Sequence, residues 1–387
     1  MLNYRKKILC VFICIAVLSS SLCFASADNE ATKIKNVIYM IPDGAGMAPF
    51  FLADYVKQEG GFSDEKFPNL TYIEDGEMYL KDYLVGAETT YSASHATTDS
   101  AAGGTALAGG YKTNNGMIGI SNDLKPHATI LEACQYKGMT TGIVVTHAIP
   151  DATPAAFSSH SDDRTNYGEI GTQQVYQKTD VLISCHSDSY KKHEWYSNDF
   201  LENKGYTVVE NKEQLNEIKA GDKVFGKIPG LYYESQRAAT TPTLAEITTA
   251  AIRALDDGNE NGFFLMVEGS AIDGGGHDSS VVNLTGDWLA FDAACKVAIE
   301  YAKNRDDTVV MILPDHDTGG LTVNKGDYSS ESLKVLTEDV KNGIDTEDLP
   351  WEGWITSDAK KDVHTQTETA EFSCIFPKAL NTPRALT

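Results

Sequence analysis

Four short stretches of the chain are apolar on both faces instead of alternating: NVIYMI (36–41), TGIVVT (141–146), GFFLMV (262–267) and TVVMIL (308–313). A strand with one wet face alternates with period two. A strand covered by helices on both sides does not, so these four predict the interior of a parallel sheet. Between them apolar positions recur at threes and fours. Over 287–303, Trp288, Phe291, Cys295, Ala298 and Ala302 mark one face of a helix, and TPTLAEITTAAIRAL (241–255) predicts another that packs back on the core. Strands alternating with helices need right-handed crossovers, which predicts an α/β fold: a three-layer sandwich with a mostly parallel central sheet and helices on both faces. The segment from about 186 to 240 is polar, lysine-rich and weakly periodic; it is expected to be an excursion at the sheet edge, with a strand near Thr207–Val209. No repeat or low-complexity linker divides the rest, and one domain is expected over 28–387.

The first residues break this pattern. Arg5, Lys6 and Lys7 precede an apolar run at 8–17 and then Ala25, Ser26 and Ala27, the order of a secretory signal peptide ending near 27. The run is shorter than a membrane span, and Leu22 is bulky for a lipidation site at Cys23, so export without an anchor is expected: secreted, periplasmic or at the cell surface, with no span after cleavage. Cleavage removes three of seven cysteines. Cys134, Cys185, Cys295 and Cys374 remain, too widely spaced for a zinc knuckle, and permit either disulfides or free thiols. With 55 acids against 32 lysines and arginines, a formal charge of -23, the chain is a poor partner for nucleic acid.

The residues just past each apolar stretch carry the chemistry. Asp43 comes after the first, Asp151 after the second, Glu268 after the third, and Asp315 with His316 after the fourth. Ligand sites in open α/β sheets lie beyond the carboxyl ends of the strands, so these acids are expected to converge. Any single Asp in such a place is equally a turn former. His277 lies four residues after Asp273, His316 beside Asp315, and His364 alone in VHTQT; mixed Asp and His sets suit zinc. His95, His127 and His193 read as surface or packing residues. Ser100, in TTDSAAGGTA, reads either as a helix cap or as a nucleophile that a neighbouring metal would activate.

Six stretches in order, VIYMIPDGAG (37–46), TTDSAAGGTA (97–106), DATPAAFSSHSDDR (151–164), VEGSAIDGGGH (267–277), LPDHDTGG (313–320) and VHTQT (363–367), resemble the alkaline phosphatases. The resemblance implies hydrolysis of phosphate monoesters through a phosphoserine on Ser100. It implies one zinc held by Asp273, His277 and His364, a second by Asp43, Asp315 and His316, and a magnesium by Asp43, Thr153 and Glu268. It also implies Asp151 orienting water at the magnesium, Arg164 gripping two phosphate oxygens, and a homodimer. The same ligands would serve a phosphodiesterase, sulfatase or phosphomutase of the superfamily; a phosphate-scavenging module without turnover is the reading from another class. Two departures stand out. The sequence after His364 differs from the family pattern. Position 274 is glycine where relatives often have Lys, His or Trp, which predicts a wider, less positive pocket that holds phosphate more weakly.

Overall fold

The computed structural model describes residues 34–58, 73, 76–303 and 305–323, and the backbone of Cys374–Ile375. The signal peptide expected over 1–27 and His364 lie outside the described residues. Seven parallel strands form the main sheet: β1 (Asn36–Pro42), β2 (Thr140–Val145), β3 (Val181–Cys185), β4 (Thr207–Val209), β5 (Val224–Ile228), β6 (Phe263–Gly269) and β7 (Thr308–Ile312), in the order β4-β5-β3-β2-β6-β1-β7. The four apolar stretches read from the sequence are β1, β2, β6 and β7, adjacent in the sheet; three are interior as expected, but β7 is an edge strand among the described residues, only partly covered and with Met311 exposed. The helices are α1 (Met47–Gln58), α2 (Ser100–Gly109), α3 (Ile130–Tyr136), α4 (Ala152–Ser158), α5 (Tyr167–Tyr176), α6 (Asn198–Asn203), α7 (Lys212–Glu217), α8 (Leu244–Leu255), α9 (Ala271–His277) and α10 (Val281–Ala302).

Pleating explains the three layers. In β1, Ile38 and Met40 face one core with Phe50 of α1, Ile247 of α8, and Trp288, Phe291, Cys295 and Ala298 of α10. Tyr39 and Ile41 face the other with Leu131 of α3, Phe157 of α4 and Val175 of α5. Successive side chains point to opposite faces, so a strand buried on both sides must be apolar throughout. The predicted helix over 287–303 is the later part of α10, which ends at Ala302 with Lys303 as its C-cap. The one over 241–255 contains α8, which starts at Thr243 with a capping box closed by Glu246.

The segment from 186 to 240 departs from a plain excursion. Thr207–Val209 is the edge strand expected there, but Val224–Ile228 also pairs, inserted between β4 and β3. Lys227 hides this strand in the sequence. Its ammonium is buried, donates to the Tyr196 carbonyl at 2.7 Å and to Asn198 Oδ1, and lies over the Tyr196 ring. Long-range satisfaction of one lysine lets an interrupted apolar run join the sheet.

One polar clasp ties the loop at Gly119 to α3. His160 Nδ1 bonds the Gly119 carbonyl at 2.6 Å and Nε2 bonds Glu132 Oε1 at 3.0 Å. Both partners only accept, so both ring nitrogens donate and the ring is a cation. The Glu132 bond raises the His160 pKa against the opposing effect of burial. A raised folded pKa gives stability that is complete below the unfolded value, about 6.5, and lost as pH climbs through the folded value. Urea unfolding at stepped pH should therefore show stability falling on the alkaline side, and His160→Gln should flatten that slope; an unchanged slope would remove the clasp from the pH response.

Candidate metal centre and serine

The sheet brings the acids together because β2, β6, β1 and β7 are neighbours. Glu268, within β6, is in register with Val145 of β2 and Ile41 of β1. Asp43 stands just past β1, and Asp151 caps α4 by accepting from the Ala152 N–H. Asp315 and His316 follow β7. Thr153 Oγ1 donates to Asp43 Oδ2 at 3.0 Å, and the Gly44 N–H donates to Asp315 Oδ1 at 3.1 Å. Gly44 has φ +67°, and a Cβ there would lie 2.8 Å from the Asp273 backbone. Only glycine lets the chain turn left-handed and pass this close to Asp273.

Ser100 meets this cluster directly, and its role as a cap is corrected. Asp99 is the N-cap of α2, accepting from the Ala102 N–H at 3.0 Å, while Ser100 is the first residue inside the helix. An Asp at the cap position can satisfy the orphan N–H itself, which frees the serine hydroxyl. Ser100 Oγ lies 2.9 Å from His316 Nε2. The small residues behind it allow tight contact: a Cβ on Gly103 would be 2.8 Å from the Asp315 carbonyl, and one on Gly104 3.1 Å from Ala156 Cβ.

Thr318 orients the imidazole. Its hydroxyl is 2.6 Å from Asp273 Oδ1 and 3.1 Å from His316 Nδ1. The single hydroxyl hydrogen goes to the carboxylate, which only accepts, so Nδ1–H donates to Thr318 and the ring is turned with Nε2 toward Ser100. That same Nε2 is 3.2 Å from Asp315 Oδ2 and 3.9 Å from Asp43 Oδ1. In a serine–histidine–aspartate triad the acid bonds the other ring nitrogen. Here serine and both acids converge on one nitrogen.

The acids behave as a set short of positive charge. Asp43 Oδ1, Glu268 Oε2 and Asp315 Oδ2 are buried without a hydrogen-bond partner. Burial first, then the charges of Asp315, Asp273 and Glu268, raise the Asp43 pKa far above its ordinary value. Burial chiefly pushes Glu268 up to about 8. Orphaned carboxylate oxygens are costly, and divalent cations with oxygen and imidazole ligands satisfy them. Among the described residues, ligand atoms of Asp43, Asp273 and His316 lie within 4.8 Å of one another, close enough to share an ion. His277 Nε2 is 3.4 Å from Asp273 Oδ2, with its side chain 56% exposed at the rim.

Arg164 comes from the loop after α4. Its Nη1 is 3.2 Å from Asp99 Oδ2 and its Nη2 3.5 Å from Asp151 Oδ1. Asp151 also bonds His147 Nδ1 at 2.5 Å. Burial opposes its charge, but the His147 bond and the Arg164 charge hold Asp151 down at about 2. His147, Asp99 and Thr318 escaped the sequence reading. The His147–Asp151 spacing of four was a usable signal; Thr318 and Asp99 have no signature apart from the fold. His95, His127 and His193 do lie on Ser94, on Ser121 and Tyr111, and on Trp195 respectively, away from the acids.

The wider pocket expected at Gly274 is not there. A Cβ on Gly274 would collide with Tyr232 Oη and fall 2.7 Å from Tyr233 Oη, so two phenols fill the volume. They follow β5, whose place in the sheet the sequence did not disclose. The lower positive charge does stand, because phenols are neutral.

Acids and imidazoles gathered at the carboxyl ends of parallel strands, beside a serine at a helix start, define a metal-dependent α/β hydrolase. The alkaline phosphatase family model matches residues 34–188 and 187–346. The chain is 32% identical over 376 residues to alkaline phosphatase 3 of Bacillus subtilis, covering 90% of this chain and 79% of that protein. Among solved structures it is similar to the cold-active alkaline phosphatase of Shewanella sp. (TM-score 0.64, 30% identity, 77% of this chain and 73% of that one). It is also similar to a variant of alkaline phosphatase from the Antarctic bacterium TAB5 with Mg bound in its M3 site (TM-score 0.62, 28% identity, 78% and 83%). The chain belongs to the alkaline phosphatase family, and phosphate monoester hydrolysis and dependence on metal ions go with it. Among the described residues no helix is long and apolar enough to cross a membrane.

Proposed function

We propose that the chain hydrolyses phosphate monoesters through a phosphoserine on Ser100, at a site for two zinc ions and one magnesium. The supporting observation is the convergence of Ser100 Oγ, His316 Nε2 and the unpartnered oxygens of Asp43 and Asp315 on one point. Asp43, Asp315 and His316 would hold one zinc, and Asp273 and His277 the other with His364. Asp43, Thr153 and Glu268 would hold the magnesium. When bound, these ions offset substrate charge, favour the serine alkoxide and stabilise the leaving oxygen.

Ser100 Oγ gives up its proton, attacks phosphorus in line, and the ester oxygen departs and is protonated as the alcohol. Arg164 takes two phosphoryl oxygens with its planar fork, exchanging its contacts with Asp99 and Asp151 for a dianion. Asp151, kept ionised, orients water near the magnesium ligands. Water then attacks the phosphoserine, the bond to Ser100 Oγ breaks, and the serine regains its proton. Two inversions retain configuration at phosphorus.

The test pairs metal analysis of purified protein with alkaline turnover of p-nitrophenyl phosphate and bis(p-nitrophenyl) phosphate. The monoester should be turned over at least about tenfold faster, and chelation should abolish it. Faster diester turnover would overturn the reading in favour of a phosphodiesterase. Phosphoserine formation without turnover would favour a scavenging module.

A further inference from the structure

The geometry points to Tyr232 as a substrate-binding residue: its phenol donates a hydrogen bond to a phosphoryl oxygen from the volume that a side chain at position 274 would fill. The placement rests on Gly274, which lies between Asp273 and His277 and has no side chain of its own. Tyr232 Oη stands where the first atom of such a side chain would be, with Tyr233 Oη beside it.

The two phenols are not equivalent. Tyr233 Oη donates to Asp278 Oδ2 at 2.6 Å, so its hydrogen is committed. The Tyr232 ring is held between His147, with centroids 4.8 Å apart, and Tyr233, at 4.4 Å. Its own carbonyl accepts from Arg237 Nη2 at 3.0 Å, which ties the backbone down. With the Tyr233 hydrogen committed to Asp278, the Tyr232 hydroxyl keeps its own hydrogen to give to a ligand. An arriving phosphate oxygen is anionic and a stronger acceptor than a neutral phenol, so it takes that hydrogen.

A continuous wall connects this hydroxyl to the residue proposed to grip phosphate. Arg164 touches Asp151, Asp151 bonds His147, and His147 packs on Tyr232. Arg164 and Tyr232 thus stand at opposite ends of one chain of contacts, and Tyr232 Oη lies against the residue that follows Asp273. Burial raises the Tyr232 pKa, which favours the protonated, hydrogen-donating phenol. A neutral donor here recognises phosphate without adding charge.

The inference rests on the phosphomonoesterase reading, so the test separates the two. Inorganic phosphate is titrated by calorimetry into protein loaded with zinc and magnesium, and monoester kinetics are measured alongside. Tyr232→Phe keeps the ring on His147. It should weaken phosphate binding and raise KM by about tenfold, with kcat and the thermal midpoint little changed. Gly274→Ala should do the same by displacing the hydroxyl, and its effect should shrink in the Tyr232→Phe background. A dissociation constant for phosphate that Tyr232→Phe leaves unchanged overturns the assignment, whatever the turnover. A wild type that releases no phosphate from the monoester overturns the functional reading instead.

Discussion

Ser100→Ala should lower kcat/KM for a phosphate monoester by about a thousandfold or more, with metal content and unfolding midpoint close to wild type. The separation follows from the helix start. Asp99, not Ser100, satisfies the Ala102 N–H, so the helix keeps its cap when the serine hydroxyl is removed. The loss is confined to one hydrogen bond with His316, worth about 1 kcal/mol. A merely structural serine would behave oppositely, with the midpoint falling and activity following it. Zinc and magnesium stoichiometry, a melt and phosphate release on the same preparation separate the outcomes. Activity above about a tenth of wild type would remove Ser100 from the chemistry.

Arg237→Ala should be the most destabilising single change outside the metal cluster, at about 3–5 kcal/mol. Arg237 is buried against Glu234, lies with Nη2 3.9 Å from Asp287 Oδ1, and donates to the Tyr232 carbonyl. Burial already drives the Asp287 pKa well up, and Arg237 is what pulls it back. Truncating the arginine leaves two buried acids facing each other in a low dielectric without their cation, which costs far more than the ion pair itself contributes. Lysine would not replace it, because one guanidinium fork serves three oxygens on different elements. Asp287→Asn in the same background should recover part of the loss. Denaturant unfolding measures all three; a cost below about 1 kcal/mol would mean the acids find other partners. Phosphate binding should weaken as well, since Tyr232 loses its anchor.

The chemistry of this site was legible where it obeyed local rules. The acids at 43, 151, 268 and 315 could be found because each lies at or shortly after a continuously apolar stretch that reads as a strand of a parallel sheet. His277 and His316 stood out because imidazole beside carboxylate has few bland uses. Residues without a local signature were missed. Thr318 orients the His316 ring from two residues away in sequence but through Asp273, 45 residues distant. Asp99 is an ordinary cap in sequence and a partner of Arg164 only once the loop after α4 returns to it. The strand over Val224–Ile228 was concealed by a lysine whose partners lie on another segment.

Gly274 shows the division most clearly. The sequence alone determined the parallel α/β architecture, the family, and the absence of a side chain between Asp273 and His277. The architecture follows from periodicity and the missing side chain from residue type, which are properties of neighbours along the chain, while the family follows from the resemblance of six ordered motifs. Whether that absence left a void was decided only in three dimensions. Strand β5 delivers Tyr232 and Tyr233 to the gap, and Arg237 and His147 hold Tyr232 there. A volume is filled by whatever the fold brings to it, and no local pattern at position 274 encodes what arrives from forty residues away.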